Sequence, residues 1–256
     1  MKAKLIILGC GSSVGVPRAD GYWGNCDKNN KKNDRSRCSA IIVKGSNSIL
    51  IDTSPDIRKQ LLLNKIKRIS SVIFTHEHAD QTNGLFELRP FFLKYKKEIN
   101  IYGNLRTMNH LKKRFSYCFK SSYGYPAFVK GYIIKKIFSL GKYDEKINFN
   151  TMQVMHGRIK TTAYIFENTA YISDCNDLSI VNMKIFQNLK HLIIDCLRIK
   201  KSPVHFNLKE SLFVHHCLKP KKTILTNLHS DLDYNNLLKK LPPNVVPAHD
   251  GLSLNL

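Results

Sequence analysis

The stretch Phe74 to Gly84, "FTHEHADQTNG", sets His76, His78 and Asp80 at alternate positions and follows them at once with Gln81. It continues an apolar run, "SSVIFT" (Ser70 to Thr75), that reads as a buried strand delivering His76 at its C-terminal end. Side chains two residues apart leave a strand in the same direction. His76 and His78 can therefore face one cation while Asp80 turns toward a neighbouring position. Two imidazoles and a carboxylate at this spacing read as part of a metal site. The remaining ligands must come from elsewhere in the chain, and an amide stands where a further ligand would be placed.

Outward from this stretch, the chain reads as strands that repeatedly end on a polar residue. "KLIILG" (Lys4 to Gly9), "SAIIVKG" (Ser39 to Gly45) and "SILIDT" (Ser48 to Thr53) precede a helix, "PDIRKQLLLN", with Ser54 as its expected N-cap and Pro55 in its first turn. Further on, "MQVM" ends at His156, "TAYISD" at Asp174, "HLIIDC" near Asp195 and "KTILTN" at Asn227, with helices such as "LKESLFVHHCL" between them. Strand ends are where layered α/β proteins place their sites. Residues from about 85 to 150 are aromatic and lysine-rich, with "MNHLKKRFSYCF" helical and "SSYGYPAF" a turn. This segment is expected to form a helical lid or insertion in one α/β domain spanning 1–256.

The totals narrow the classes. A chain of 256 residues with 43% hydrophobic content buries roughly 70–75% of the surface its unfolded form exposes. The apolar start "MKAKLIILGC" is uninterrupted only from Leu5 to Leu8, too short for a secretory core. No run approaches a membrane span, so no membrane partner and a cytoplasmic location are expected. Seven scattered cysteines without a C-x-x-C pair argue against a disulfide framework. The formal charge of +22 attracts anions, whether a small phosphorylated molecule or a nucleic acid. Only ten of the 41 basic residues are Arg, as an AT-biased genome would also produce.

Together these segments resemble the metallo-β-lactamase-fold hydrolases, and more narrowly the phosphodiesterase branch that holds the PhnP-type phosphoribosyl cyclic phosphate phosphodiesterases and tRNase Z. The resemblance rests on "LGCGSSVGVPR" (Leu8 to Arg18), "RCSAIIV" (Arg37 to Val43), "ILIDTSPD" (Ile49 to Asp56) and "THEHADQTNGLFELRP" (Thr75 to Pro90). It continues in "MHG" (Met155 to Gly157), "AYISD" (Ala170 to Asp174), "PVHFNL" (Pro203 to Leu208) and "LTNLHSDLDY" (Leu225 to Tyr234). It implies a four-layer αββα sandwich with one or two divalent cations, zinc or manganese. His76, His78 and His156 would hold the first cation, Asp174 would bridge to a second, and Asp80 would face that second one. His205 would be the acid that protonates a leaving oxygen, while Asp80 orients or deprotonates the attacking water.

Three departures from the family pattern carry expectations of their own. Gln81 and Asn227 stand where the second cation would take histidines. Neutral amide oxygens are weaker ligands, so that position is expected to be weak. His229 is a candidate replacement ligand or substrate contact. The cysteine cluster that, with a late histidine, holds a structural zinc in PhnP-type enzymes is reduced to Cys26 and Cys38, with Ser230 near the place of the histidine. The Gly-rich turn lacks the spacing of a dinucleotide or P-loop motif and is expected to place Ser12, Ser13 and Arg18 near substrate. The activity expected is metal-assisted hydrolysis of a small cyclic or nucleotide-like phosphodiester. The alternatives are a tRNase Z-like RNA-processing nuclease and a catalytically weakened member that binds nucleotides or RNA.

Overall fold

The computed structural model describes residues 1–178 and 183–256. The strands are β1 (Lys4–Gly9), β2 (Ser39–Lys44), β3 (Asn47–Ile51), β4 (Ser71–Ile73), β5 (Ile99–Gly103), β6 (Val129–Ile133), β7 (Ile137–Leu140), β8 (Ile147–His156), β9 (Ile159–Phe166), β10 (Thr169–Ile172), β11 (His191–Asp195), β12 (Lys222–Thr226), β13 (Val245–Pro247) and β14 (Leu252–Asn255). They form two sheets, ordered β14-β1-β2-β3-β4-β5-β6 and β13-β12-β11-β10-β9-β8-β7. The helices are α1 (Ile57–Leu63), α2 (Ala79–Thr82), α3 (Arg89–Tyr95), α4 (Leu105–Arg114), α5 (Ser116–Phe119), α6 (Leu208–Leu218) and α7 (Tyr234–Leu238).

Period-two alternation explains the layering. Ile42, Ile49 and Ile51 pack toward Phe149, Tyr164, Phe166, Tyr171 and Ile193 of the other sheet, while their neighbours Ile41 and Leu50 turn the opposite way. Those outward residues meet Ile57 and Leu61 of α1 and Met108 and Leu111 of α4. On the far side, Leu192, Ile194 and Leu225 pack with Val214 of α6 and Leu237 of α7. Three apolar seams between four layers make the αββα sandwich. Burial on both faces is also why the strands read as unbroken apolar runs.

Direction does the rest. In the first sheet β3, β4, β5 and β6 run parallel, and in the second β10, β11, β12 and β13 do. β8 and β9 are antiparallel, as are β9 and β10, so β8 runs with β10. The C-terminal ends of β4, β8, β10, β11 and β12 therefore collect on common edges, bringing together side chains distant in sequence.

The segment 85–150 corrects the expectation of a helical lid. It supplies β5 and β6 to the first sheet and β7 to the second, with α3, α4 and α5 in between. Its strands were hidden by their exposed Lys and Tyr, since β6 buries only Val129 fully. The N-cap of α1 is Asp56 rather than Ser54, whose hydroxyl accepts from the Asp56 N–H and donates to Gln60. Near the N-terminus, the Cys26 thiol donates to the Ser230 carbonyl, whereas Cys38 contacts Gly11 and Thr226. Buried Arg35 closes that corner by donating to Leu232 O at 2.7 Å and Asn33 Oδ1 at 3.0 Å. No helix among the described residues is long and apolar enough to cross a membrane.

His191 at the start of β11 is buried beside Thr169, and its pKa is lowered to about 4 by desolvation and then by Lys190 and Lys222. The folded ring stays neutral while the unfolded chain takes up a proton below about pH 6.5. Stability contributed by the neutral ring is present above that pH and lost as pH falls toward 4. Urea unfolding at pH 7 and pH 5 should show that His191→Gln removes about 1–2 kcal/mol of the wild-type loss between those pH values. An unchanged loss in the variant refutes the assignment.

Candidate metal centre and acid dyad

The strand-end residues converge. His76, His78 and His156 offer ring nitrogens that all lie within 4.8 Å of one another, and a second group of that size joins His156 to Asp174 and His205. Ring centroids are 4.5 Å apart for His76 and His78, 5.1 Å for His78 and His156, and 4.5 Å for His156 and His205. Nitrogens around a tetrahedral zinc ion stand about 3.3 Å apart, so this spacing suits a cation after small adjustments.

Three of the rings, those of His76, His156 and His205, are each oriented by a neighbour on Nδ1, whereas His78 is exposed. The Thr75 hydroxyl donates to Asp52 Oδ2 at 2.8 Å and lies 3.0 Å from His76 Nδ1, from which it can accept. His76 Nε2 is then an unprotonated, fully buried nitrogen with no hydrogen-bond partner among the described residues. His156 Nδ1 lies 2.6 Å from Val204 O, and His205 Nδ1 lies 2.7 Å from Asp195 Oδ2. A carbonyl and a carboxylate only accept, so both rings donate from Nδ1 and present Nε2. An orphaned buried nitrogen flanked by two more imidazoles is a donor set that fits a divalent cation, and the partners behind it are of the kind that tune such a site. Burial lowers the pKa of His76 to about 4 and also lowers that of His156, keeping the lone pairs free.

The backbone around the motif is braced from three sides. Thr162 N–H donates to Thr75 O, and Tyr164 OH to Phe74 O, tying β9 to the end of β4. Glu77, between the two histidines, accepts from Arg106 and from the Thr107 hydroxyl at the start of α4. Gly84 N–H donates to Thr53 O, and a Cβ at Gly84 would lie 2.1 Å from Ser54 O. That contact is why a glycine closes α2 and lets Gln81 O accept from Thr53 N–H at 2.8 Å. At the β8–β9 turn, Gly157 has φ of +60°, and a Cβ there would meet Val204 at 2.6 Å. Its smallness lets Val204 reach His156.

Electrostatics separates the acidic groups. Asp174 is buried, which pushes its pKa up, but His76, His205 and His156 outweigh this and hold the carboxyl below its usual range. Asp80 is raised by burial and by the charge of Asp174. Asp195, which pairs with His205, is raised by burial. His205 is raised to about 8, since the hydrogen bond and charge of Asp195 overcome its own desolvation. The Asp195–His205 pair thus keeps a proton on the imidazole at neutral pH, beside the three-histidine cluster.

Other expected site residues have different surroundings. Gln81 is fully buried and donates from Nε2 toward Asp80 and Asp174. Asn227, with φ of +61° at the end of β12, donates to Asp195 Oδ1 at 3.2 Å and braces the dyad. His229 Nδ1 lies 3.0 Å from Asp231 Oδ1, and the residue belongs to neither ligand group. Ser12 is buried with its hydroxyl unpartnered among the described residues, and its N–H donates to Leu228 O beside Asn227. Ser13 is exposed, and Arg18 is exposed and paired with Asp20 while stacking on Tyr22. Sequence reasoning passed over Asp195, Asp52 and Thr75 as site residues. Asp195 carried the same strand-end signal as Asp174, but Thr75 had none beyond adjacency to His76.

Thr75→Val removes the hydroxyl behind His76 at nearly constant volume. Affinity of the metal-free protein for Zn²⁺, read by competition with a chromophoric chelator, should fall about 10–100-fold. Unchanged affinity would mean packing alone orients the ring.

With this geometry in hand, likeness to known proteins becomes informative. The family described as Beta-lactamase superfamily domain matches residues 47–227. A crystal structure described as a new diphosphatase from the PhnP family has a TM-score of 0.87 and 31% identity, covering 100% of this chain and 98% of that one. Zinc-bound PqqB from Methylobacterium extorquens (TM-score 0.79, 16% identity, coverage 99% and 100%) and the short form of human tRNase Z (0.69, 15%, 98% and 98%) share the fold. An octanoyltransferase from Porphyromonas gingivalis is 28% identical over 254 residues, which are 97% of this chain and 51% of that protein. The chain therefore spans about half the length of that curated relative. With the family match covering most of the sequence and the PhnP-family structure aligned along all of it, this chain belongs to the β-lactamase superfamily, with the metallo-β-lactamase fold and an overall likeness to a PhnP-family protein.

Proposed function

We propose that this hydrolase cleaves a small phosphodiester, cyclic or nucleotide-like, with His76, His78, His156 and Asp174 holding the cation. The observation that carries this reading is the Asp195–His205 dyad, with His205 Nδ1 2.7 Å from Asp195 Oδ2 and its ring 4.5 Å from that of His156 in the candidate metal cluster. When bound by these residues, a divalent cation would make activated water available at neutral pH and would polarise a phosphoryl oxygen. The residues do the remaining work. Asp80, half-buried at the rim of the cluster, orients water or accepts its proton. His205 delivers a proton to the departing oxygen, and Asp195, braced by Asn227, holds that imidazole charged and oriented. An alkoxide leaves with difficulty unless protonated, whereas a thiolate leaves unaided. A built-in acid therefore favours an oxygen leaving group over a thioester substrate.

Two features support an anionic, base-bearing substrate. The formal charge of +22 draws anions. Phe86, Tyr117 and Tyr125 are 43%, 52% and 63% exposed, and the Arg89 guanidinium lies 5.9 Å from the Phe86 ring centroid and 5.3 Å from that of Tyr125. Phe86 stands six residues after Asp80, in the 3-10 turn Leu85–Leu88 that follows α2. Exposed aromatic and guanidinium planes are stacking surfaces for a nucleobase. The same features, with the tRNase Z likeness, support RNA processing as the second reading.

The test pairs leaving groups. With Zn²⁺ or Mn²⁺ supplied, His205→Ala should lower kcat on an alkyl diester such as a 2′,3′-cyclic nucleotide by about 10²–10⁴-fold. On bis(p-nitrophenyl) phosphate, whose leaving group needs no proton, the loss should be under about tenfold. Equal losses on both would remove His205 as the acid. Turnover of a precursor tRNA or an octanoyl thioester, with none of either diester, would replace the substrate assignment.

A further inference from the structure

Asp174 is buried and Asp80 half-buried, and the two carboxylates lie on either side of one amide. Gln81 lies between them, fully buried. Its Nε2 is 3.2 Å from Asp80 Oδ2 and 3.4 Å from Asp174 Oδ2. Ionised carboxylates only accept hydrogen bonds, so charge fixes which end of the amide faces them. Turned over, the amide would point its oxygen at two anions. The chosen orientation has a cost. Gln81 Oε1 is buried without a partner among the described residues, a penalty of about 1–3 kcal/mol. An amide held in that state is held for its two N–H groups.

The backbone leaves it little room to withdraw. Gln81 sits in the single turn of α2, its carbonyl accepting from Thr53 N–H, and the Gly84 contact with Ser54 clamps the turn from below. The other amide in the neighbourhood, Asn227, spends its Nδ2 on Asp195. Neither amide therefore turns an oxygen toward the space between Asp80 and Asp174. A single divalent cation already balances the charge of two carboxylates among neutral imidazoles.

On the reading that the histidine cluster holds a cation, we infer that this protein works with one divalent ion, and that the Gln81 carboxamide takes the place of a second by tying Asp80 to Asp174. The amide does without charge what a bridging ion does with it. It sets the distance between the two carboxylates and leaves the other Asp80 oxygen available to water. Gln81 is thus a positioning residue rather than a weak ligand.

The experiment counts ions rather than turnover. Metal-free full-length protein is titrated calorimetrically with Zn²⁺ and with Mn²⁺, and metal content is measured by elemental analysis after dialysis. Wild type should bind one equivalent. Gln81→His, and Gln81→Glu as an isosteric second variant, should each gain a further equivalent at least tenfold tighter than any second event in wild type, with circular dichroism confirming the fold. Two tightly held equivalents in wild type overturn the inference and leave the hydrolase reading intact. No bound ion overturns both. Two folded variants that remain at one equivalent remove Gln81 from the role.

Discussion

Asp174 is a buried carboxylate and Asp80 a half-buried one that shares an amide with it, and such a pair persists in a protein only if something positive or proton-donating lies between or beside it. The architecture around this centre can be understood as meeting that requirement. Imidazoles from β4, β8 and the segment after β11 surround Asp174, a carboxamide spans the two acids, and the imbedded nitrogens that face inward keep their lone pairs. Were any one of these donors absent, the acids would have to take up protons, and the cradle for a cation would lose its charge.

Keeping that arrangement in register demands rigidity behind each ring. The sandwich provides it by ending parallel strands on one edge, so that a residue following each strand becomes a neighbour of residues far away in sequence. Side chains that touch no cation then set the tautomers. Asp52 acts through Thr75 on His76, a carbonyl made accessible by Gly157 acts on His156, and Asp195 acts on His205. The same Nδ1 engagement has two different consequences. A neutral acceptor leaves Nε2 with its lone pair, while the buried Asp195 carboxylate favours a proton on the His205 ring.

The helical elements between β4 and β7 connect this centre to the outside. Glu77 links the histidine motif to the start of α4, and the turn after α2 presents Phe86 next to Arg89. Positioning of the metal motif and presentation of an aromatic, cationic surface thus belong to one continuous stretch. That continuity explains why the segment is part of the sandwich rather than a detachable cover.

Much of the site was legible in the sequence because its signals are local. His76, His78 and Asp80 announce themselves by spacing; His156 and Asp174 close apolar strands but were picked out by the family resemblance, and Asp195, with the same strand-end signal, was passed over. Runs such as "SAIIV" and "HLIID" marked strands buried on both faces, while the four-layer arrangement was what the family resemblance implied. What escaped was whatever depends on partners across the chain. β5, β6 and β7 were unrecognisable because their exposed faces carry Lys and Tyr, and only pairing with neighbouring strands defines them. The use made of each amide was likewise undetermined, since Gln81 and Asn227 have both an acceptor and a donor end. Which end faces the site depends on whether a carboxylate or a cation stands opposite. Spacing and the family resemblance thus pointed to the candidate ligands and the strand ends that carry them, while tertiary packing decided tautomers, protons and the orientation of the amides, because those are set by atoms that meet only in the folded protein.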